Sequence, residues 1–154
     1  MPATSAGLLL YRRRDGQPEV LLVHPGGPFW ARKDAGAWSI PKGEHGPEEA
    51  AYAAALRELE EELGTPPALQ SEPLDLGEVK QRGGKIVHAW AAEADFDPDT
   101  LQSNTFEMEW PPRSGRRQEF PEVDRAQWFS PEEALNRINP AQAELVHRLL
   151  GRLR

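Results

Sequence analysis

The chain has 154 residues, the size of one domain that can bury its own core without disulfide or metal staples. Its formal net charge of −7 argues against broad electrostatic attraction to nucleic acid or an anionic membrane, but not against a phosphorylated substrate held through a cation that inverts the local field. With no cysteine, thiolate chemistry and disulfides are excluded, metal ligands must be Asp, Glu, His or backbone oxygen, and the composition fits a reducing compartment.

Met1 to Ala6 is short and uncharged, and the apolar run at Leu8 to Tyr11 is too brief for a signal peptide or a membrane span, so a cytoplasmic protein is expected. Ala6 to Tyr11 and Val20 to Val23 read as two strands around a turn at Asp15-Gly16. His24 to Gly36 is interrupted by Gly and Pro around Phe29 and Trp30 and reads as a loop, and Ala37 to Ile40 as a short strand leading into Pro41-Lys42-Gly43. Pro47 suits the first turn of a helix, Glu48 and Glu49 suit its positive end, and Tyr52, Leu56, Leu59 and Leu63 form its core-facing stripe. Gly64 stops that helix, with Pro66-Pro67 behind it.

Leu74 to Val79 and Lys85 to Ala94 read as strands joined through Gly83-Gly84, and Thr105 to Trp110 as a further strand. Pro111 to Gln118 has the composition of an exposed loop. Ala126 to Phe129 is a strand, Ser130 and Glu133 make a capping box for a helix from Pro131 to Ile138, and Ala141 to Leu150 is a last helix with Leu145, Leu149 and Leu150 inward. Strands on both sides of one internal helix, with no repeat and no linker, predict a single α/β domain over residues 1–154, helices covering both faces of a mixed sheet.

The chemistry-bearing feature is the acidic end of the internal helix, Arg57-Glu58-Leu59-Glu60-Glu61-Glu62-Leu63-Gly64. Residues three and four apart share a helical face, which puts Glu58 beside Glu61 and Glu62. Crowded carboxylates repel one another and raise one another's pKa values, and a hard divalent cation such as Mg2+ relieves that. Ions held there would engage a pyrophosphate and acidify an attacking water. A solvated acidic face is the plainer reading of the same residues. Arg57 reads either as a surface ion pair with Glu60 or Glu61, or as a guanidinium that fixes an acidic side chain such as Glu49. The four histidines show no zinc-ligand grouping, and His45, close to the turn, reads equally as a phosphate contact or a surface residue.

In register, Gly43, Glu49, Arg57, Glu58, Leu59, Glu61, Glu62 and Gly64 resemble the Nudix box, the signature of the Nudix hydrolase superfamily. Thr65 departs at the final aliphatic position, and Glu48 stands where members often carry glycine. The resemblance implies a Nudix-type α/β/α sandwich and hydrolysis of a phosphoanhydride with Mg2+, Mn2+ being a possible substitute. It implies that Glu58, Glu61, Glu62 and the Lys42 carbonyl are metal ligands, and that Glu61 or Glu62 assists the base. It makes Arg57 an orienting residue, with Glu49, Gly43 and Gly64 supporting. Members also recruit a glutamate from outside the box; Glu107 and Glu109 are ranked first here, Glu119 and Glu122 behind them.

Trp38-Ser39-Ile40-Pro41-Lys42-Gly43 resembles the lead-in of Nudix diadenosine-polyphosphate and diphosphoinositol-polyphosphate hydrolases, and Ser5 through Gly43 resembles a bacterial group of predicted nucleoside triphosphate pyrophosphohydrolases. The expected activity is pyrophosphohydrolysis of nucleoside polyphosphates, dinucleoside polyphosphates favoured. Alternatives are sanitising of oxidised nucleoside triphosphates, diphosphoinositol-phosphate hydrolysis, and a non-catalytic nucleotide sensor. Lys42, Arg113 and Arg116 are candidate phosphate contacts and Phe29 and Trp30 candidate stacking surfaces, against a solvated basic loop and an apolar lid. The partner is then a small phosphorylated molecule of nucleotide type, with no extended nucleic acid or membrane, bound by a monomer or homodimer.

Overall fold

The computed structural model describes residues 4–65 and 67–153, so Met1 to Ala3 and Pro66 of the sequence reading lie outside the described residues. The first apolar run lengthens into β1, Thr4–Arg14, which turns at Asp15 and Gly16 into β2, Gln17–Pro25. Both turn residues have positive φ (52° and 78°), the type I′ geometry that matches the twist of an antiparallel hairpin. The order continues with β3 (Lys42–Glu44), α1 (Ala51–Leu63), β4 (Leu74–Lys80), β5 (Ile86–Glu93), β6 (Thr105–Glu109), β7 (Arg117–Pro121), β8 (Val123–Phe129), α2 (Pro131–Arg137) and α3 (Ala143–Arg152).

The main sheet runs β4-β5-β1-β2-β8, and β3 pairs with the start of β1. It is mixed: β1 and β5 are parallel, while β1–β2, β1–β3, β2–β8 and β4–β5 are antiparallel. Because β1 lies at the centre, its side chains are buried on both faces, which explains its nearly continuous apolar run. Leu9 and Tyr11 point into one core with Trp38, Ile40, Leu145 and Leu149. Ala6, Leu8 and Leu10 point into the other with Ala54, Ala55, Leu59 and Leu63 of α1. One helix on one face and two on the other make the expected α/β/α sandwich, while β6 and β7 form a separate hairpin.

Four local expectations change. Ala37 to Ile40 is not a strand: Ser39 makes an isolated bridge to Val23, and Trp38 one to Ile138, so the segment is tied at single residues. The helix begins at Ala51 rather than Pro47, because Pro47 to Glu49 forms its own turn, with the Glu49 N–H donating to the Gly46 carbonyl (3.3 Å). Leu56 faces outward, since small Ala54 and Ala55 let α1 approach β1 and bring Glu58 inward instead. Residues 117–121 form β7 rather than loop; its sequence is polar because it pairs with β6 on an exposed hairpin and buries little. The Ser130 cap is as expected, its hydroxyl accepting from the Glu133 N–H at 3.2 Å. Among the described residues, no helix is long and apolar enough to cross a membrane.

Candidate active site

The acidic end of α1 sits against β3 through one contact that only glycine permits. A Cβ on Gly43 would overlap the Glu58 carboxylate, which lies directly on the Gly43 backbone and is 8% exposed. Arg57 ties the surrounding acids together. Its Nε and Nη2 donate to the two oxygens of Glu49 at 2.8 and 2.9 Å, and Nη1 donates to Glu58 at 2.9 Å and Glu61 at 3.2 Å. Bidentate pairing raises the affinity of the guanidinium for its proton further, and holds the Glu49 carboxyl below its usual range. Glu49 makes this contact from the turn before the helix, not from the helix itself.

The edge of β3 presents Lys42 to the same acids. Leu8 donates to the Pro41 carbonyl (3.1 Å) and His45 to the Thr4 carbonyl (3.1 Å). Alternation along an antiparallel ladder therefore turns both backbone groups of Lys42 away from β1. The Lys42 N–H supports the ionised Glu62 carboxylate, yet burial and the neighbouring Glu58 push the Glu62 carboxyl up to about 8. Glu58 is also raised, by burial first and by Glu61 second. Burial lowers the Lys42 ammonium and Lys85 lowers it further, with Glu62 opposing.

Glu122, between β7 and β8, completes the group of acids. Its carboxyl is raised by burial and by Glu61, and it bears electrostatically on Glu58 and Glu62 as well. The structure holds it there through backbone bonds: Glu122 N–H donates to the Asn104 carbonyl (2.8 Å), Asn104 N–H to the Glu61 carbonyl (2.8 Å), and Gly26 N–H to the Glu122 carbonyl (2.9 Å). Glu107 and Glu109, ranked ahead of it from sequence, share the exposed face of β6, opposite Phe106 and Met108. Glu107 lies 3.6 Å from Arg117, and Glu109 accepts from the Arg113 N–H. These contacts engage both glutamates within their own hairpin rather than with the α1 carboxylates, and Glu119 likewise accepts from Thr105.

A cleft of about 260 Å³ opens beside Glu62 and Lys42. Glu122 lines it, as do Trp30, Val23, Ile40 and Val123, together with the polar side chains of Ser39, Gln81, Asn139 and Gln142. Of the two candidate stacking residues, Trp30 belongs to this cleft, while Phe29 is exposed and packs edge-on against Trp110 (5.9 Å between ring centres). Arg113 and Arg116 stand in the exposed turn of the β6–β7 hairpin. Trp38 is a core residue, its indole N–H donating to Asp34 at 2.7 Å. His24 is fully buried between Asp124 (2.8 Å) and the Lys33 carbonyl (2.7 Å), and His45 donates from Nδ1 to the Gly46 carbonyl (3.0 Å). Sequence reading missed the amide lining of the cleft, because Gln81 lies far along the chain from Asn139 and Gln142 and the three form no motif.

Among the described residues, no three His, Asp or Glu side chains converge as a ready-made metal-ligating group. Arg57 takes up oxygens of Glu58 and Glu61. The donor chemistry nevertheless fits a hard divalent cation. The available ligands are all oxygens, and the Glu62 carboxyl, held near 8 by burial and Glu58, needs added positive charge to stay ionised at neutral pH.

A family model described as NUDIX domain matches residues 1–149. A Caenorhabditis elegans Ap4A hydrolase in a binary complex is similar over 97% of both chains, at 23% identity and a TM-score of 0.69. The NUDIX domain of Shewanella oneidensis NrtR, complexed with ADP ribose, matches 100% of this chain and 90% of its own at 18% identity and a TM-score of 0.67. The Escherichia coli ORF135 protein matches 97% and 91% at 26% identity and a TM-score of 0.57.

Proposed function

This chain belongs to the NUDIX family, and we propose that it is a Mg2+-dependent pyrophosphohydrolase of nucleoside polyphosphates, with dinucleoside polyphosphates favoured. The observation that carries this reading is the single acidic unit at the end of α1: Gly43 seats Glu58, Arg57 braces Glu49, Glu58 and Glu61, and Glu62 faces a cleft beside Lys42.

Glu58, Glu61, Glu62 and the Lys42 carbonyl would hold the cation, with Glu122 adjoining. Bound there, a divalent cation supplies charge neutralisation at the phosphates and acidifies the attacking water. The chain's own residues do the rest. Arg57 keeps Glu58 and Glu61 in place and is a positioning residue. The Lys42 ammonium neutralises a phosphate oxygen. Water attacks phosphorus, its proton passes to the carboxylate of Glu62, the phosphoanhydride P–O bond breaks, and the leaving phosphate takes the electron pair. Trp30 offers a flat wall to a base. The preference for dinucleoside polyphosphates is supported by the Trp38 to Gly43 lead-in and by the likeness in fold to an Ap4A hydrolase.

The test is a panel of dinucleoside polyphosphates, nucleoside triphosphates (normal and oxidised), nucleotide sugars and diphosphoinositol phosphates, with Mg2+ or Mn2+, read by product identity. Fastest turnover of a dinucleoside polyphosphate, releasing two nucleotides, is expected. No turnover of any nucleotide would sink the assignment, and tight nucleotide binding without turnover would point to a sensor.

A further inference from the structure

The amide side chains that line the cleft are wired so that they present hydrogen-bond donors. Gln142 is fully buried, and the Ile40 backbone N–H donates to its Oε1 at 3.0 Å. A backbone N–H can only donate, so the orientation of the Gln142 amide is fixed. Its Nε2 donates to Ser39 Oγ (3.0 Å) and to Gln81 Oε1 (2.8 Å), using both protons. The oxygen of Gln81 is thereby committed, and its Nε2 is the amide atom left for the cleft. Asn139 is fixed in the same way: its Oδ1 accepts from the Ala141 N–H at 2.9 Å, which leaves Nδ2. Turning the Gln81 amide over would set donor against donor.

Gln81 and Asn139 both line the cleft, as does the half-exposed Trp30, whose ring carries the Lys33 ammonium at 5.2 Å. Lys42, Glu62 and Glu122 line the same cleft. A ligand complementary to this lining has a flat body, neighbouring acceptors on one edge, and phosphates for Lys42 and a cation held by the carboxylates. Guanine and hypoxanthine carry two neighbouring acceptors, O6 and N7, whereas adenine places its N6 donor beside N7. Against the two amide donors, an adenine N6 amino group leaves donors unpaired in a partly desolvated site.

We infer, resting on the hydrolase reading for the position of the phosphates, that Gln81 and Asn139 select a 6-keto purine, so that guanosine-type nucleotides are preferred over adenosine-type ones. Gln142 acts through Gln81 and is a positioning residue.

The test is calorimetric binding of GMP, IMP and AMP to the full chain with Mg2+, for the natural sequence and for Gln81→Glu and Asn139→Asp. Each substitution keeps the oxygen its partner needs and replaces a cleft-facing donor by an acceptor. GMP and IMP should bind about tenfold or more tightly than AMP, with IMP following GMP because the 2-amino group is not read. Gln81→Glu and Asn139→Asp should each erase or invert that ratio. Equal or tighter binding of AMP to the natural chain would overturn the inference, as would variants that weaken all three ligands alike, or no binding of any. Hydrolysis separates the two claims. Turnover with an adenosine preference refutes the base assignment and leaves the reaction standing, whereas guanosine-selective binding without turnover does the reverse.

Discussion

Replacing Glu62 by Gln should make the metal-free protein more stable while removing its activity. In the folded chain the Glu62 carboxyl is pushed up to about 8, whereas in the unfolded chain it titrates near about 4.3. Between those two values the folded state retains a proton that the unfolded state has released, so stability falls as pH rises through that window and levels off above it. At about 1.4 kcal/mol per pH unit, the interval from about 4.3 to about 7 gives an upper bound of about 4 kcal/mol at neutral pH. Glu62 borders an open cleft, and solvent screening reduces this to about 1–2 kcal/mol. A neutral amide of the same shape escapes the penalty. For a chain of this size the gain corresponds to a Tm higher by about 3–6 °C. Thermal melts of both proteins in chelator at pH 5 and pH 8 measure it: the Glu62→Gln variant should melt higher at pH 8, with the gap nearly closed at pH 5. A variant that melts at or below the natural protein at pH 8, or a gap independent of pH, would refute the reasoning.

The other expectations follow from the same contacts. Mg2+ at pH 8 should raise the Tm of the natural protein and raise that of Glu62→Gln much less; equal shifts would mean that the cation binds elsewhere. Gly43→Ala should drive the Glu58 carboxylate off β3, costing about 1–3 kcal/mol in a denaturant titration and lowering kcat about 100-fold by misplacement; full activity would contradict that seating. Arg57→Lys keeps the charge but loses the bidentate grip on Glu49, and steady-state kinetics should show kcat reduced by about 10-fold or more while KM changes little. Glu122→Gln should lower kcat far more than Glu107→Gln or Glu109→Gln, and the reverse order in the same assay would restore the β6 glutamates as candidates.

What is legible in the sequence is what lies close along the chain. The register of Gly43, Arg57, Glu58, Glu61 and Glu62 spans one turn and one helix, and local spacing brings those residues near one another before any tertiary packing is known. The strands of the central sheet are legible for a similar reason, since β1 is buried on both faces and carries a long apolar run, and β5 alternates buried Val87, Ala89 and Ala91 with partly buried neighbours. Glu122 ranks low from sequence because its position depends on a relay from Glu61 through Asn104, which no periodicity encodes. Polar β7 leaves no trace because its pairing with β6 supplies backbone bonds rather than a buried face. The helix start is misplaced because Pro47-Glu48-Glu49 satisfies first-turn preferences, yet the Glu49 carboxylate is drawn to Arg57 from a separate turn. The amide lining of the cleft requires Gln81 to meet the turn that carries Asn139 and Gln142 across the fold, and only the folded chain shows that it does.

The central claim is that this acidic unit directs water onto a phosphoanhydride. Its most direct test is hydrolysis of a dinucleoside polyphosphate with Mg2+ in heavy-oxygen water, with mass spectrometry of the products. The account predicts that each turnover places a single heavy oxygen on the newly exposed phosphate of one product, and that Glu62→Gln yields almost no labelled product. Intact substrate after prolonged incubation of the natural protein with Mg2+ or Mn2+, or products without label, would contradict it.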